Sequence, residues 1–159
     1  MLSNTIDIDL ASFWTRVGAA VLCGAAIGVE RQLRGKAAGI RTSILVCLGT
    51  EMFIALGDSF PITHSDPARV LGQVITGIGF LGAGVILAKE GRVLGVTSAA
   101  VIWMLAALGA MIGLGHIAAG FVLTLVTLAV LIGVELIESA WARLRRGSAD
   151  KELENLFDQ

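Results

Sequence analysis

Gly77-x-Gly79-x-x-Gly82, within TGIGFLGAG, has the spacing that cradles a dinucleotide pyrophosphate when a strand leads into the first glycine and a helix starts among them. That chemistry also needs an acidic residue about 20 positions on, at the end of a second strand. Here the glycines fall midway along a helix-length apolar run starting at Pro67, which sets the nucleotide reading aside. Asp58, His64 and Asp66 offer two carboxylates and an imidazole to a divalent cation. However, Mg²⁺ prefers oxygen ligands and retains several waters, and Asp66, directly before Pro67, has the place of a helix N-cap. A metal site there is the weaker reading, and no cofactor is expected. His116 reads as a solvated turn residue. No Ser-His-Asp, HExxH or P-loop pattern occurs, so an enzyme is not expected.

The other chemically capable residues are charges inside apolar runs. Arg69 and Gln73 stand one helical turn apart, where a charge costs at least about 2.5 kcal/mol unless it reaches water or a partner. Glu51 and Arg16 fall at comparable depth, which predicts an outer-half network of Arg16, Glu51, Arg69 and Gln73, serving either as structural glue or as a ligand or ion pathway. At the other end Glu30, Arg31, Arg41 and Thr42 flank a turn. They read either as snorkelling anchors or as a polar site in which Glu30 pairs with Arg41 and the hydroxyls of Thr42 and Thr97 line a cavity. Cys23 and Cys47 lie in apolar runs without a CxxC and read as packing residues.

These residues must be positioned by membrane helices. The 159 residues are enough for one domain, and 55% hydrophobic against 16% charged content, with mean hydropathy +0.82, exceeds what a soluble domain of this size hides. Five apolar runs, about 10–29, 41–57, 67–88, 97–114 and 116–138, have the length that crosses the hydrocarbon layer. The fold class expected is therefore all-α, a polytopic bundle of five transmembrane helices over 1–142, followed by a polar cytoplasmic tail at 143–159 that begins a linker or a truncated domain. The acidic start MLSNTIDID argues against a cleaved signal peptide.

Ten of the twelve Lys and Arg residues collect on one side (Arg31, Arg34, Lys36, Arg41, Lys89, Arg92, Arg143, Arg145, Arg146, Lys151), leaving Arg16 and Arg69 on the other. The positive-inside rule then puts the N-terminus outside and the C-terminus in the cytoplasm. A net charge of -1 gives no pull toward nucleic acid. Trp14 and Trp141 suit the two interfaces, whereas Trp103, deep in its span, is expected to pack between helices.

On a helix over 69–86, Gly72, Thr76, Gly79 and Ala83 form a ridge of small residues, with Arg69, Gln73, Gly77, Phe80 and Gly84 beside it; the other half carries Val70, Leu71, Val74, Ile75, Ile78, Leu81, Val85 and Ile86. Helices associate in lipid through small residues and polar pairs, which predicts that this ridge faces neighbouring helices and that the third span is the central one. Gly18, Gly24, Ala25 and Gly28 suggest a matching surface on the first span, and Ala106, Gly109, Ala110 and Gly113 another on the fourth. The two cytoplasmic hairpins are alike around Gly39-Ile40-Arg41-Thr42-Ser43 and Gly95-Val96-Thr97-Ser98-Ala99, read either as a parallel repeat of a helical hairpin or as shared cap chemistry.

GVERQLRGKAAGIRTSILVCLG (28–49), DPARVLGQVITGIGFLGAGVIL (66–87) and GVTSAAVIWMLAALGAMIGLG (95–115) together resemble the MgtC/SapB family of bacterial inner-membrane proteins. The resemblance implies a regulator linked to low-magnesium adaptation and virulence, restraining the F-type ATP synthase through helix-helix contacts; homo-oligomerisation is also expected. The alternative is a transporter or ligand-binding protein for Mg²⁺ or another ion, using a polar site around Arg69, Gln73 and Glu30. Family-like positions are Glu30, Arg31, Arg41, Thr42, Asp66, Arg69, Gln73, Gly77, Gly79, Gly82, Gly84, Thr97 and Trp103. Two departures stand out. Such proteins often carry an ACT-like cytoplasmic domain where this sequence stops, and Glu51 occupies a position that is usually small or apolar in them.

Overall fold

The computed structural model describes residues 10–59, 67–89 and 92–157, with side chains described over 10–57, 69–86 and 93–141. Five helices account for nearly all of it: α1 (Leu10–Leu33), α2 (Ile40–Ser59), α3 (Pro67–Gly84), α4 (Val96–Gly113) and α5 (Ile117–Phe157). A short antiparallel hairpin, β1 (Leu87–Lys89) and β2 (Arg92–Leu94), joins α3 to α4 in the register Leu87–Leu94, Ala88–Val93 and Lys89–Arg92. By length and composition α1, α2, α4 and the Ile117–Trp141 part of α5 suffice to cross a membrane, and α3, which carries Arg69 and Gln73 within its 18 residues, is not among them.

Helix ends follow their local chemistry. Gly35 adopts φ 63° after α1, and Lys36 N–H donates to Arg31 O at 3.0 Å while Gly35 N–H donates to Gln32 O at 3.1 Å. That is a Schellman motif, repeated at Gly115, where His116 N–H reaches Met111 O at 2.9 Å and Gly115 N–H reaches Ile112 O at 2.9 Å. Span three was expected to reach 88 but stops at Gly84. The Val85 and Ile86 N–H groups donate to Gly82 O and Ala83 O at 3.3 and 3.1 Å in a tightened last turn before the strand starts at Leu87, and the return at Gly95 has φ 90°, with Val85 O so close that any side chain there would collide.

Compact packing runs up to Leu125; the remainder of α5, from Val126, forms a second unit by itself. In the first unit α2 is the central helix, clamped between α1 and α4. A Cβ added at Gly24 would stand 2.8 Å from Ile44 Cα, and one at Gly28 would stand 2.6 Å from Ile40 Cα. From the other side Gly109 meets the Cys47 carbonyl and Gly113 lies against Glu51 O. Glycines therefore let three backbones approach, as expected on spans one and four. Gly18 has nothing within 4 Å.

Helix α3 corrects the expected central role. Part of its apolar half turns inward: Ile78 is 8% exposed and joins Ala38, Ile102 and Ala106 in a core flanked by Val46, Val74 and Val85, while Ile75, Leu81 and Ile86 stay exposed. Within the chain Gly72, Thr76, Gly77, Gly79, Ala83 and Gly84 face outward instead, and Gly72, Gly77, Gly79 and Gly84 have no neighbour within 4 Å of a Cβ. The reason is volume: three helices already meet through glycine elsewhere, and Val74, Ile78 and Val85 fill the wider space beside α4. Among the glycines of α3, only Gly82 meets another helix, at Ala99 O (3.7 Å).

Candidate functional site

The structure places the expected site residues in three groups. At the end of α1, the burial of the last two turns brings Glu30 and Arg31 inside, with Arg31 only 3% exposed. Glu30 Oε1 accepts an ion pair from Arg34 Nε at 2.6 Å, one helical turn on, and its Oε2 lies 3.6 Å from Arg31 Nη1. The expected Glu30–Arg41 pair is replaced by these two contacts, because Arg41 starts the next helix pointing outward and is exposed. Thr42 and Thr97 are exposed too, and the groove that Thr42 lines includes neither Glu30 nor Thr97. Beside them Arg31 Nε and Nη2 and Ser43 Oγ are buried without a hydrogen-bond partner among the described residues.

Reading along the sequence did not single out three contributors here. Arg34 was legible from the i, i+4 spacing to Glu30. Gln32 Oε1 accepts the Ile40 N–H at 3.3 Å and so caps α2 from α1, a contact across a loop that carries no periodic signal. Ser43 is fully buried against Gly28.

The expected outer network divides in two. Arg16 and Glu51 meet, with Nε 3.7 Å from Oε1, across the α1–α2 contact; Glu51 is 0% exposed and Arg16 is 24% exposed. Arg69 and Gln73 remain on the exposed face of α3. Gln73 lines an open groove of about 680 Å³ between α2 and α3, with Thr42, Thr50, Phe53, Gly49 and Gly77. On the other side of α3 an apolar groove of about 250 Å³ contains Trp103, Ile75, Ala107 and Met111. Trp103 is thus an exposed wall of a groove, not a residue packed between helices. Thr76 Oγ donates back to Gly72 O at 2.9 Å, which occupies its one donor and leaves it only as an acceptor toward an outside partner. Phe80, 82% exposed, completes the outward strip.

Cys23 and Cys47 are free and buried within the α1–α2 contact. The Asp58 side chain, His64 and Asp66 lie outside the described residues, so the loop metal site has no counterpart to describe. His116 is exposed in the turn after α4.

Known proteins extend this picture. A profile of the MgtC family matches residues 17–140. Over 120 residues the chain is 44% identical to YhiD of Escherichia coli (strain K12), whose name describes it as a candidate magnesium transporter; the match covers 71% of this chain and 55% of that protein. It is 37% identical over 139 residues to Protein MgtC of Salmonella paratyphi A, covering 87% of this chain and 58% of the other. Protein SrpB of Synechococcus elongatus is 41% identical over 138 residues, covering 78% of this chain and 76% of the other. The chain therefore spans little more than half the length of the first two. No solved structure matches it significantly.

Proposed function

Since the chain belongs to the MgtC family, we propose that it is a non-enzymatic regulator in the bacterial inner membrane, serving magnesium-related physiology by docking the outward face of α3 on another membrane protein. One observation carries this reading: Gly72, Gly77, Gly79 and Gly84 leave open a small-residue face that the chain's own packing does not use. In lipid such a face is where a second helix approaches closely, and an exposed amide such as Gln73 gains a hydrogen bond there.

The membrane sector of the F-type ATP synthase is the first partner to test, following the family resemblance. Gly79→Leu and Ala83→Leu leave the chain's own contacts untouched, so the variants should fold while co-purification of the synthase falls at least about tenfold, a loss of roughly 1.4 kcal/mol. Undiminished capture by both variants contradicts the reading. Crosslinking of Gly79→Cys to a second copy instead would reassign the face to homo-oligomerisation.

A second reading is supported by the name of YhiD and by the groove that gathers Thr42, Thr50 and Gln73 between α2 and α3. In that reading the groove passes Mg²⁺ or another ion. Flux into liposomes lost in Gln73→Leu supports it, and an absence of flux across a broad ion panel retires it.

A further inference from the structure

Glu51 is a buried side chain whose chemistry neither reading uses. It lies about 12 Å inward from the end of α2, at 1.5 Å per residue. Its carboxyl group is fully buried, and both oxygens lack a hydrogen-bond donor among the described residues. The nearest cation, Arg16 Nε at 3.7 Å, is beyond hydrogen-bond length and itself lacks an acceptor. The C-terminal end of α4 reaches the same turn of α2, where Gly113 lies against Glu51 O.

A carboxylate held this way has lost its water without gaining donors, which is the costly condition for a charge in a low-dielectric interior. A metal cation does not relieve it. Glu51 is a single carboxylate, an arginine stands beside it, and the described residues hold no group of three metal-ligating side chains. A proton does relieve it, because the neutral carboxyl needs no counter-charge. The titratable or charged groups nearest to it on the elements packed around it are Arg16 and Cys23 on α1 and Cys47 on α2; Glu30 and Arg31 lie at the other end of α1, Arg41 lies at the other end of α2, and α4 presents glycine there. Arg16 is partly exposed and only about 9 Å inward from the start of α1, so its guanidinium can reach outer water by extending.

We propose that Glu51 is a proton-binding site within the membrane and that Arg16 sets its occupancy. In the ionised state the carboxylate holds Arg16 across the α1–α2 contact. A proton taken from outer water converts Glu51 to the neutral acid and releases Arg16 toward the surface, loosening the outer end of that contact. This site makes the outer half of the bundle responsive to external acidity, independently of what docks on α3.

The test is infrared spectroscopy of the full chain in liposomes over a pH series, following the carbonyl stretch of protonated side-chain carboxyls. The expected result is a band that grows on acidification, disappears in Glu51→Gln, and persists to higher pH in Arg16→Gln, where the cation favouring the anion is gone. His116→Gln should leave it unchanged. If Glu51→Gln does not fold, ¹³C-glutamate labelling of the wild-type chain with Glu51→Asp identifies the same band. A wild-type spectrum without a titrating buried glutamic acid, or a titration unmoved by Arg16→Gln, overturns the proposal.

Discussion

Glu30 serves two arginines at once, and they differ in what they would lose. Arg31 is almost wholly buried, whereas Arg34 keeps contact with solvent. Removing the carboxylate leaves a buried guanidinium uncompensated, an effect of about 3–5 kcal/mol. Removing Arg34 leaves Glu30 with Arg31 and should cost less than about 1 kcal/mol, in the range of partly exposed pairs. Unfolding of Glu30→Ala and Arg34→Ala in mixed SDS and mild detergent should show this order, and equal midpoints would contradict it. The sequence made Glu30 and Arg31 legible as unusual, since charges flanking an apolar span need a reason. It did not make their partner legible. Arg41 was the nearer choice across the turn, but the Schellman end at Gly35 and the start of α2 at Ile40 direct Arg41 away, and only the folded turn contains that information.

At the scale of elements, the glycines separate into two classes that look the same in sequence. Gly28, Gly109 and Gly113 are sites where α2 is approached by a neighbouring backbone; Gly72 and Gly79 face open space. Gly109→Ala and Gly28→Ala should therefore destabilise by about 1–3 kcal/mol or more through overpacking. Gly72→Ala and Gly79→Ala should be neutral or stabilise by up to about 1 kcal/mol through helix propensity. The same SDS titration reads both pairs, and destabilisation by Gly79→Ala would be the adverse result. This pairing explains what was legible. Hydropathy located α1, α2, α4 and the start of α5 within a few residues, because length and apolarity are properties of one segment. The inward face of α3 was not legible, because in lipid both halves of that helix are compatible with an apolar surrounding. Small residues announce a close contact without saying whether it lies inside this chain or with another one. Nor did hydropathy show the β1–β2 hairpin, whose residues Leu87 and Ala88 continue the apolar run of α3.

At the largest scale, the first unit is a glycine-joined core of α1, α2 and α4 with α3 laid on it through Val74, Ile78 and Val85. From the placement of Lys and Arg we propose that the α1–α2 turn faces the cytoplasm. Leu33→Cys, in a background without Cys23 and Cys47, should react with a membrane-impermeant maleimide in inverted vesicles and not in intact spheroplasts, and the reverse pattern would invert the proposed orientation. Both the packing of the first unit and the proposed docking face depend on which way α3 is turned. Spin labels introduced singly at Ile78, Gly79 and Ala83 in the purified chain in lipid, with mobility and oxygen accessibility recorded for each, test this most directly. The labels at Gly79 and Ala83 should be mobile and open to oxygen while that at Ile78 is immobilised and shielded; a shielded Gly79 beside an accessible Ile78 would contradict the account.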